Sequence, residues 1–300
     1  MLPGARMQWQ LTPVKRMPLE KGVCLLTGST GGIGRALAPA LAEAGYQLIL
    51  SARNEHQLTT LSNSLPRDSV IDCVVADTAD ESGLEKLALR AEQANVSTLV
   101  NLAGINEFAW FEDQNQTKVR HMIDVNLIAP MCLTQLLLPS LQQQDSALIV
   151  NVGSAFGAIG YPGYAIYCAS KFGLRGFSEA LRRELQETSV DVVYVAPRAV
   201  TTDMNSTATV ALNEHLGNRS DAPVWVAKKI LKAMTDRTIT TQLGWPEKIF
   251  TRLNQIWTKP IDQALGKQLS VIRSYAKNGR DKQSPANTIP RKFHESSNKN

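Results

Sequence analysis

Tyr167 and Lys171 are four positions apart in a stretch that predicts a helix, so both side chains would lie on one face. A lysine ammonium beside a phenol favours the phenolate, which would let Tyr167 exchange a proton far below its free pKa of about 10. Ser154 precedes this helix in a glycine-rich loop, where its hydroxyl would hydrogen bond a carbonyl oxygen that Tyr167 protonates. These residues indicate proton transfer at a carbonyl group. The alternative is an incidental tyrosine and lysine pair on a surface helix.

A second group of residues predicts a turn that binds phosphate. Val23–Thr27 is a short apolar run typical of a buried parallel strand, and Arg35–Ala44 has a helical pattern. Between them, Gly28 would permit a tight turn, and Gly32 and Gly34 would let phosphates and the facing strand come close. The segment from residue 27 to residue 34 reads Thr-Gly-Ser-Thr-Gly-Gly-Ile-Gly. Strand, glycine turn and helix in this order favour a dinucleotide on the backbone amides of the turn, including those of Ser29, Thr30 and Ile33. A glycine turn that only reverses the chain is the alternative.

The end of the second predicted strand, Gln47–Ser51, indicates which dinucleotide. Sites for NAD place an Asp or Glu here to bind the ribose 2′-hydroxyl. This chain has Ser-Ala-Arg-Asn at residues 51–54, and the guanidinium of Arg53 is suited to a 2′-phosphate. The sequence therefore predicts NADP(H), unless Arg53 is simply a solvated loop residue.

Two further strand ends predict cofactor contacts. Asp77 follows the predicted strand Ser69–Val75 and would either bond the adenine amino group or cap the next helix. The turn that begins at Asn101 continues through Ala103 and Gly104, whose small side chains would let the cofactor lie against it.

Asn126 stands in an otherwise apolar part of the helical pattern from Thr117 to Leu141. A buried amide without partners costs about 1–3 kcal/mol, so Asn126 needs hydrogen bonds. A structural water network or a catalytic relay would each supply them.

The strand predicted at Asp191–Ala196 ends in a turn where ligands bind in open α/β sheets. Three residues of that turn are predicted to contact the cofactor: Pro197, Val200 and Thr202. The polar residues 203–220 have few core candidates and suit a mobile lid over a substrate pocket.

Strands alternate with helices throughout, which predicts a doubly wound, mostly parallel sheet with helices on both faces, a Rossmann-type α/β fold. We divide the chain into an N-terminal lead-in (1–20), one α/β domain (21–244), a basic amphipathic helical extension (245–275) and a disordered tail (276–300).

The chain resembles the short-chain dehydrogenase/reductase family over about residues 20–240, with the glycine spacing of its shorter, single-domain members. The resemblance rests on five motifs in the family's order. They are Thr-Gly-x-x-x-Gly-Ile-Gly at 27–34, Asn-x-Ala-Gly at 101–104, Asn126, Ser154, and Tyr-x-x-x-Lys at 167–171.

The resemblance implies that Tyr167 is the general acid/base and that Lys171 lowers its pKa and bonds the nicotinamide ribose. It further implies that Ser154 orients the substrate oxygen and that Asn126 anchors a proton-supplying water chain. It also implies a dimer or tetramer formed through two long helices. A non-catalytic nucleotide sensor or scaffold of the same fold is the alternative function.

Two residues depart from the family pattern. Leu102 replaces the second Asn of the turn, which removes one amide. Arg198 replaces the Gly that follows Pro197, and it would either contact the diphosphate or an anionic substrate group, or turn out to solvent.

The basic charge is concentrated near the C-terminus. Residues 222–300 carry fifteen Lys or Arg against five Asp or Glu, a net charge of +10, whereas the whole chain carries +5. Between residues 249 and 272, apolar side chains recur every three or four positions, with Pro260 as a predicted kink. This stripe would pack on the protein's own core, on a second subunit, or on an anionic membrane surface.

Composition narrows the partners and the compartment. The four cysteines lack a Cys-x-x-Cys pair and the four histidines lack metal-ligand spacing, so buried thiols are predicted and a metal is not. The basic residues lack interleaved aromatic residues, which argues against nucleic acid. The N-terminus lacks an apolar run of signal-peptide length, so we expect a cytoplasmic protein. Its substrate is expected to be a small molecule. If the apolar stripe between residues 249 and 272 binds a membrane, the protein would also be in peripheral contact with that membrane.

Overall fold

A computed structural model describes residues 21–244 and 247–281 of the chain, with the side chains at 247–249, 255 and 278–281 left out. Within these residues seven parallel strands form one sheet in the order β3-β2-β1-β4-β5-β6-β7. The strands are β1 Val23–Thr27, β2 Gln47–Ala52, β3 Val70–Val75, β4 Val96–Asn101, β5 Ala147–Val152, β6 Val190–Ala196 and β7 Thr240–Gln242. The predicted doubly wound sheet is confirmed.

Helices cover both faces of this sheet. The described α-helices are α1 Gly32–Glu43, α2 Glu55–Asn63, α3 Glu81–Gln93, α4 Gln116–Ile123, α5 Ala129–Gln142, α6 Ala165–Glu184, α7 Thr207–Leu216, α8 Pro223–Thr235, α9 Glu247–Ile256 and α10 Lys259–Asp281. Of these, α1, α2, α3, α5, α6 and α8 pack on the sheet. Leu37 of α1 and Ile230 of α8 pack on one face, and Leu87 of α3 and Leu137 of α5 pack on the other. Strands β4, β5 and β6 are buried along their whole length because they have helices on both sides.

The strand order reverses direction between β1 and β4. The chain leaves β1 toward one edge of the sheet and leaves β4 toward the other, so the connections after these two strands separate. A crevice opens there at the carboxyl ends of the strands, which is where open α/β sheets bind ligands.

The helix predicted from Thr117 to Leu141 forms as two α-helices joined by one π-helical turn, Asp124–Ile128. Asn126 lies in that turn and is completely buried. Single π-turns are rare and occur mostly at functional sites, because they change the direction of a side chain.

Gln116–Gln142 has the length and hydropathy of a membrane span. Its inward face carries Met122, Leu133, Leu137 and Leu141, all buried in the domain. This burial is typical of a core helix of an α/β domain. Such core helices often have the length and apolar composition of a membrane span.

Residues 203–220 line the cavity, as the sequence predicts for a lid over a substrate pocket. They contain α7, whose Thr209 and Leu212 are buried, so the segment has more core residues than its polar sequence indicates. Helix α10 packs across α7 from far along the chain. The mobility of this segment stays a prediction.

The C-terminal extension forms two helices, α9 and α10. The helical conformation is interrupted between Ile256 and Lys259, just before Pro260. Ile261, Ile272 and Ala276 of α10 are buried against the domain, so this part of the apolar stripe packs on the protein itself. Helix α10 continues to Asp281, into the region predicted as a disordered tail from residue 276. Residues 282–300 of that tail lie outside the described residues.

Candidate active site

The residues predicted to act in catalysis and cofactor binding surround one cavity of about 910 Å³ at the carboxyl end of the sheet. Ser154, Tyr167 and Lys171 lie in its wall together with the glycine turn after β1. Predicted cofactor contacts in the wall are Gly28, Thr30, Gly32, Ile33, Gly34, Arg53, Asp77, Ala103, Gly104, Pro197, Val200 and Thr202. Three predicted site residues are outside the wall: Ser29, Asn101 and Asn126.

Helix α6 brings Tyr167 and Lys171 together, as their spacing predicts. The Lys171 ammonium lies 5.9 Å from the centre of the Tyr167 ring and donates a hydrogen bond of 3.2 Å to the Val152 carbonyl oxygen. Lys171 is buried, so its charge depends on that carbonyl and the nearby ring for stabilisation.

Burial shifts both pKa values away from the predicted pattern. It raises the pKa of Tyr167 to about 12, and a hydrogen bond from the Ser154 side chain offsets only part of that effect. It lowers the pKa of Lys171 to about 8. Desolvation of the phenolate is thus the larger influence on Tyr167 in the protein alone. The role of Lys171 in lowering the phenol pKa stays a prediction.

The loop after β5 holds Ser154 just beyond the carboxyl end of that strand. The Ser154 hydroxyl accepts a hydrogen bond of 3.1 Å from the Phe156 amide. The Ala155 amide donates to the Pro197 carbonyl oxygen at 2.8 Å, which ties this loop to the end of β6. Gly153 is required here, since a Cβ atom on it would lie 2.0 Å from the buried Tyr194 hydroxyl oxygen.

Asn126 obtains its hydrogen bonds from protein groups. Its amide accepts from the Ile105 nitrogen and donates to the Ile105 carbonyl oxygen, both at 2.8 Å, and donates to the Ser170 hydroxyl at 3.1 Å. The structure thus connects the π-turn to the loop after Gly104 and to α6, between Tyr167 and Lys171. Asn126 is a positioning group in this structure.

The glycine turn lies so close to the neighbouring loops that side chains would not fit at two of its positions. Gly28 has a φ of +66°, and a Cβ atom there would lie 2.7 Å from the Cα atom of Ala103. A Cβ atom on Gly32 would lie 2.3 Å from Thr202, so the approach of the two loops depends on this glycine. Gly31 caps α1 without a side-chain hydrogen bond, and the first turn of α1 has no acidic residue. This cradle at a helix N-terminus fits the diphosphate of a dinucleotide.

Ser29 and Asn101 have structural roles that the sequence did not predict. The Ser29 hydroxyl donates to the Ser51 carbonyl oxygen at 3.0 Å, and the Asn101 amide donates to Asn151 at 2.8 Å. Both residues are buried and stand outside the cavity wall. Their predicted cofactor contacts stay predictions. They fix the ends of β1, β2, β4 and β5 relative to one another.

The far end of the cavity carries Arg53 and Asp77. Arg53 is exposed after β2, and Asp77 follows β3, where its carboxylate accepts a hydrogen bond of 3.0 Å from the Ala79 amide. Asp77 is the one carboxylate among the described residues of the cavity wall, whereas Lys171, Arg53, Arg198 and Arg219 all belong to it. The wall therefore favours an anionic ligand.

Arg198 forms a bidentate ion pair with Asp221, so the prediction that it turns out to solvent is wrong. Arg198 also lines the cavity, and its contact with a diphosphate or an anionic substrate group stays a prediction. Its guanidinium donates to the two carboxylate oxygens at 3.0 and 2.7 Å, and the two side chains are only 12% and 10% exposed. Backbone hydrogen bonds join Asp221 to Thr201 and to Ala199 beside this pair. The ion pair thus closes the base of the segment that carries α7. Sequence patterns missed it because the partners are 23 residues apart.

The substrate end of the cavity is lined mainly by residues that sequence reasoning missed. Aromatic rings form one wall, with Phe156 and Tyr161 stacked at 5.0 Å and the Tyr164 hydroxyl 2.8 Å from the Thr209 hydroxyl of α7. Helices α7, α9 and α10 form the opposite wall with Leu212, Phe250, Ile261, Ala264, Leu265 and Gln268. The amphipathic pattern of the extension was the available signal, but it does not say which surface covers the stripe.

Comparisons with known proteins agree with this arrangement. The sequence profile described as short chain dehydrogenase matches residues 22–212. An uncharacterized oxidoreductase, DltE, of Bacillus subtilis is 36% identical over 191 residues, which cover 63% of this chain and 75% of that protein. The 3-oxoacyl-[acyl-carrier-protein] reductase of Bos taurus is 36% identical over 196 residues, covering 65% of this chain and 80% of that protein. The crystal structure of a short-chain dehydrogenase from Streptomyces avermitilis is 25% identical, with a TM-score of 0.70, and covers 85% of this chain and 98% of that one.

Proposed function

Because the chain belongs to the short-chain dehydrogenase/reductase family, we propose that it is an NADP(H)-dependent oxidoreductase that interconverts a carbonyl group and a secondary alcohol. One observation carries the proposal: Tyr167, Lys171 and Ser154 line the same cavity as the glycine turn after β1. A proton donor and a dinucleotide cradle in one cavity are the two components that carbonyl reduction requires.

The protein groups carry the proton half of the reaction. When NADPH is held in this cavity, its nicotinamide would provide the hydride ion that adds to the carbonyl carbon. The Tyr167 phenol gives its proton to the carbonyl oxygen, so that the C=O double bond becomes a C–H and an O–H bond. The Ser154 hydroxyl donates a hydrogen bond to the same oxygen, which orients the carbonyl. The reverse reaction returns the proton to Tyr167.

Lys171 and Asn126 support that transfer. The Lys171 ammonium stabilises the phenolate left on Tyr167 and holds the ribose hydroxyls next to the nicotinamide. Asn126 fixes the Ile105 loop and Ser170 around the catalytic helix through hydrogen bonds of 2.8 to 3.1 Å. The proton-supplying water chain implied by the family resemblance would start beside this group.

The proposed preference for NADP(H) over NAD(H) is supported by the residues that follow β2 at one end of the cavity. Arg53 would bind the 2′-phosphate there, and residues 51–54 offer no carboxylate for the 2′-hydroxyl of NAD. The backbone around Gly28, Thr30, Gly32, Ile33 and Gly34 would hold the diphosphate. The turns at 101–104 and 197–202 would flank the nicotinamide.

The substrate would be a lipophilic or acyl-type carbonyl compound. The cavity wall beyond Tyr167 carries Leu212, Phe250, Ile261 and Leu265, which favour an apolar ligand. The bovine relative is named for the reduction of 3-oxoacyl groups carried by a protein, and an acyl chain would suit this wall.

The active form would be a cytoplasmic homodimer or homotetramer. Apolar side chains stand exposed on the π-turn, α5 and α6: Ile128, Met131, Leu136 and Phe172. Leu127 packs directly against Gly173, so the exposed side chains of the two helices are neighbours. A second copy would cover this face.

The test is a panel of ketones, 3-oxoacyl thioesters and steroids, with NADPH oxidation followed at 340 nm and NADPH fluorescence as the measure of binding. We expect turnover with NADPH, and for acyl substrates a kcat/KM that rises with chain length. NADPH binding without turnover of any panel compound would instead favour a nucleotide sensor or scaffold.

A further inference from the structure

Helix α9 presents an exposed apolar surface beside the cavity. We call Phe250, Leu253, Ile256 and Trp257 the α9 patch. Ile256 is 86% exposed and Trp257 is 59% exposed. Large apolar side chains with this degree of exposure, next to each other in the chain, are typical of a surface that meets a partner or a membrane.

The rest of α9 is anchored, so this exposure does not result from a loosely attached helix end. Thr251 is buried on the opposite side of the helix. The Asn254 amide donates a hydrogen bond of 2.9 Å to the Ala158 carbonyl oxygen in the loop that carries Ser154. The domain therefore holds α9 with the patch directed outward.

Cationic side chains flank the patch along the chain. Arg252 and Lys259 are exposed directly beside it, and Lys267 and Lys277 are exposed further along α10. Asp262 is the one acidic side chain among those that the structure describes between residues 250 and 277. An apolar group flanked by basic residues matches an anionic lipid surface, in which apolar side chains enter the interface and cations bind headgroups.

The patch is continuous with the mouth of the cavity. Phe250 is 43% exposed and also lines the cavity, and Met204 is likewise both exposed and part of the cavity wall. Ile261 and Leu265 continue the apolar wall inward from α10. A lipophilic molecule could thus pass from a surface in contact with the α9 patch to the interior along apolar side chains.

We propose that the α9 patch docks the protein on an anionic phospholipid bilayer, with Ile256 and Trp257 in the interface and the cavity mouth facing the lipid. A second copy of the chain is a poorer occupant of this surface. Two patches that each carry the same positive flanks would repel one another, whereas anionic headgroups neutralise them. Docking concerns this surface alone and does not depend on the proposed reaction.

The test is co-flotation of the full chain with vesicles of phosphatidylcholine and phosphatidylglycerol, compared with phosphatidylcholine alone. The test variant is I256S/W257S. The control is I71S/L89S, which removes two exposed apolar side chains on β3 and α3. We expect the parent and the control to float with the anionic vesicles, and the test variant to bind at least about ten-fold more weakly. R252Q/K259Q should lose binding to the anionic vesicles most strongly at low salt.

Circular dichroism and sedimentation velocity on the same samples separate docking from misfolding and from association. Equal flotation of I256S/W257S and the parent, both folded, would overturn the proposal. So would the absence of any flotation by the parent, or a parent oligomer that dissociates in I256S/W257S while vesicle binding is absent. Loss of flotation by a folded test variant, with the control unaffected, supports docking even if no substrate is found.

Discussion

Lys171 has a buried ammonium at the centre of the site, and burial lowers its pKa to about 8. Tyr167, one helical turn earlier, has its pKa raised to about 12 by the same desolvation. The spacing of the two residues correctly predicted that they share a helix face. It could not predict the signs of these shifts, because they depend on how much of the wall closes around the pair. The protein alone therefore favours the neutral phenol, which is the form that donates a proton in reduction.

The first prediction concerns pH. Below pH 8 Lys171 is charged and Tyr167 is protonated, so both groups are in the form that reduction needs. We expect kcat/KM for reduction, which reports the free enzyme, to be level below pH 8 and to fall as the pH rises through about 8, because the ammonium is lost first. The measurement is the pH profile with folding checked by circular dichroism. A profile that stays level to pH 10 would contradict the lowered pKa of Lys171 on which this prediction depends.

The second prediction concerns Arg53. Arg53→Asp should shift the ratio of kcat/KM for NADPH over NADH toward NADH by about ten-fold or more, because a carboxylate repels the 2′-phosphate and accepts a hydrogen bond from a 2′-hydroxyl. Arg67→Asp is the matched control, since Arg67 is also exposed but is outside the cavity wall. An unchanged ratio in the Arg53 variant would remove the argument for NADP(H).

At the scale of elements, the doubly wound, mostly parallel class of the sheet followed from the sequence, whereas the partners of the connecting segments did not. Val23–Thr27 was predicted with its observed bounds because it is a short apolar run that ends at a glycine turn. The sequence singled out Arg198 but did not indicate its ion-pair partner. Asp221 lies 23 residues later, beyond α7, and comes next to Arg198 only in the folded chain. Side chains that are paired by the path of the chain have no local signal.

The third prediction is that Asp221→Asn destabilises the protein by about 3–5 kcal/mol, because it leaves the Arg198 charge buried without its carboxylate partner. The measurement is urea unfolding. Lys232→Ala is the control, since it removes an exposed ion pair with Asp236 and should cost at most about 1 kcal/mol. Equal free energies of unfolding for the two variants would show that the Arg198–Asp221 pair does not stabilise the segment that carries α7.

At the scale of the whole molecule, the substrate cavity is built from two regions of the sequence. The matched family region ends at residue 212, whereas Phe250, Ile261 and Leu265 close the cavity from beyond it. The amphipathic stripe predicted that the extension would pack somewhere, and the geometry shows that α10 lies over α7 and the site. The family resemblance therefore identified the candidate reacting groups, whereas the residues around the proposed substrate position could be identified only from the structure.

The fourth prediction concerns assembly. Phe172→Glu should convert the proposed dimer or tetramer into smaller species, because it places a charge in the apolar face of α5 and α6. Sedimentation velocity measures the change. Phe111→Glu is the control, since Phe111 is more exposed than Phe172 and belongs to neither helix. A parent that is already monomeric, or a variant that assembles like the parent, would exclude this face as the interface.

The central claim is that Tyr167 transfers the proton, and Tyr167→Phe tests it most directly. Turnover with NADPH and the best carbonyl substrate is measured together with NADPH binding by fluorescence, and Tyr161→Phe serves as a control in the same cavity wall. We predict that Tyr167→Phe lowers kcat by about 10²–10⁴-fold with little change in NADPH affinity, while Tyr161→Phe keeps most of its activity. Turnover by Tyr167→Phe at the rate of the parent would contradict the assignment.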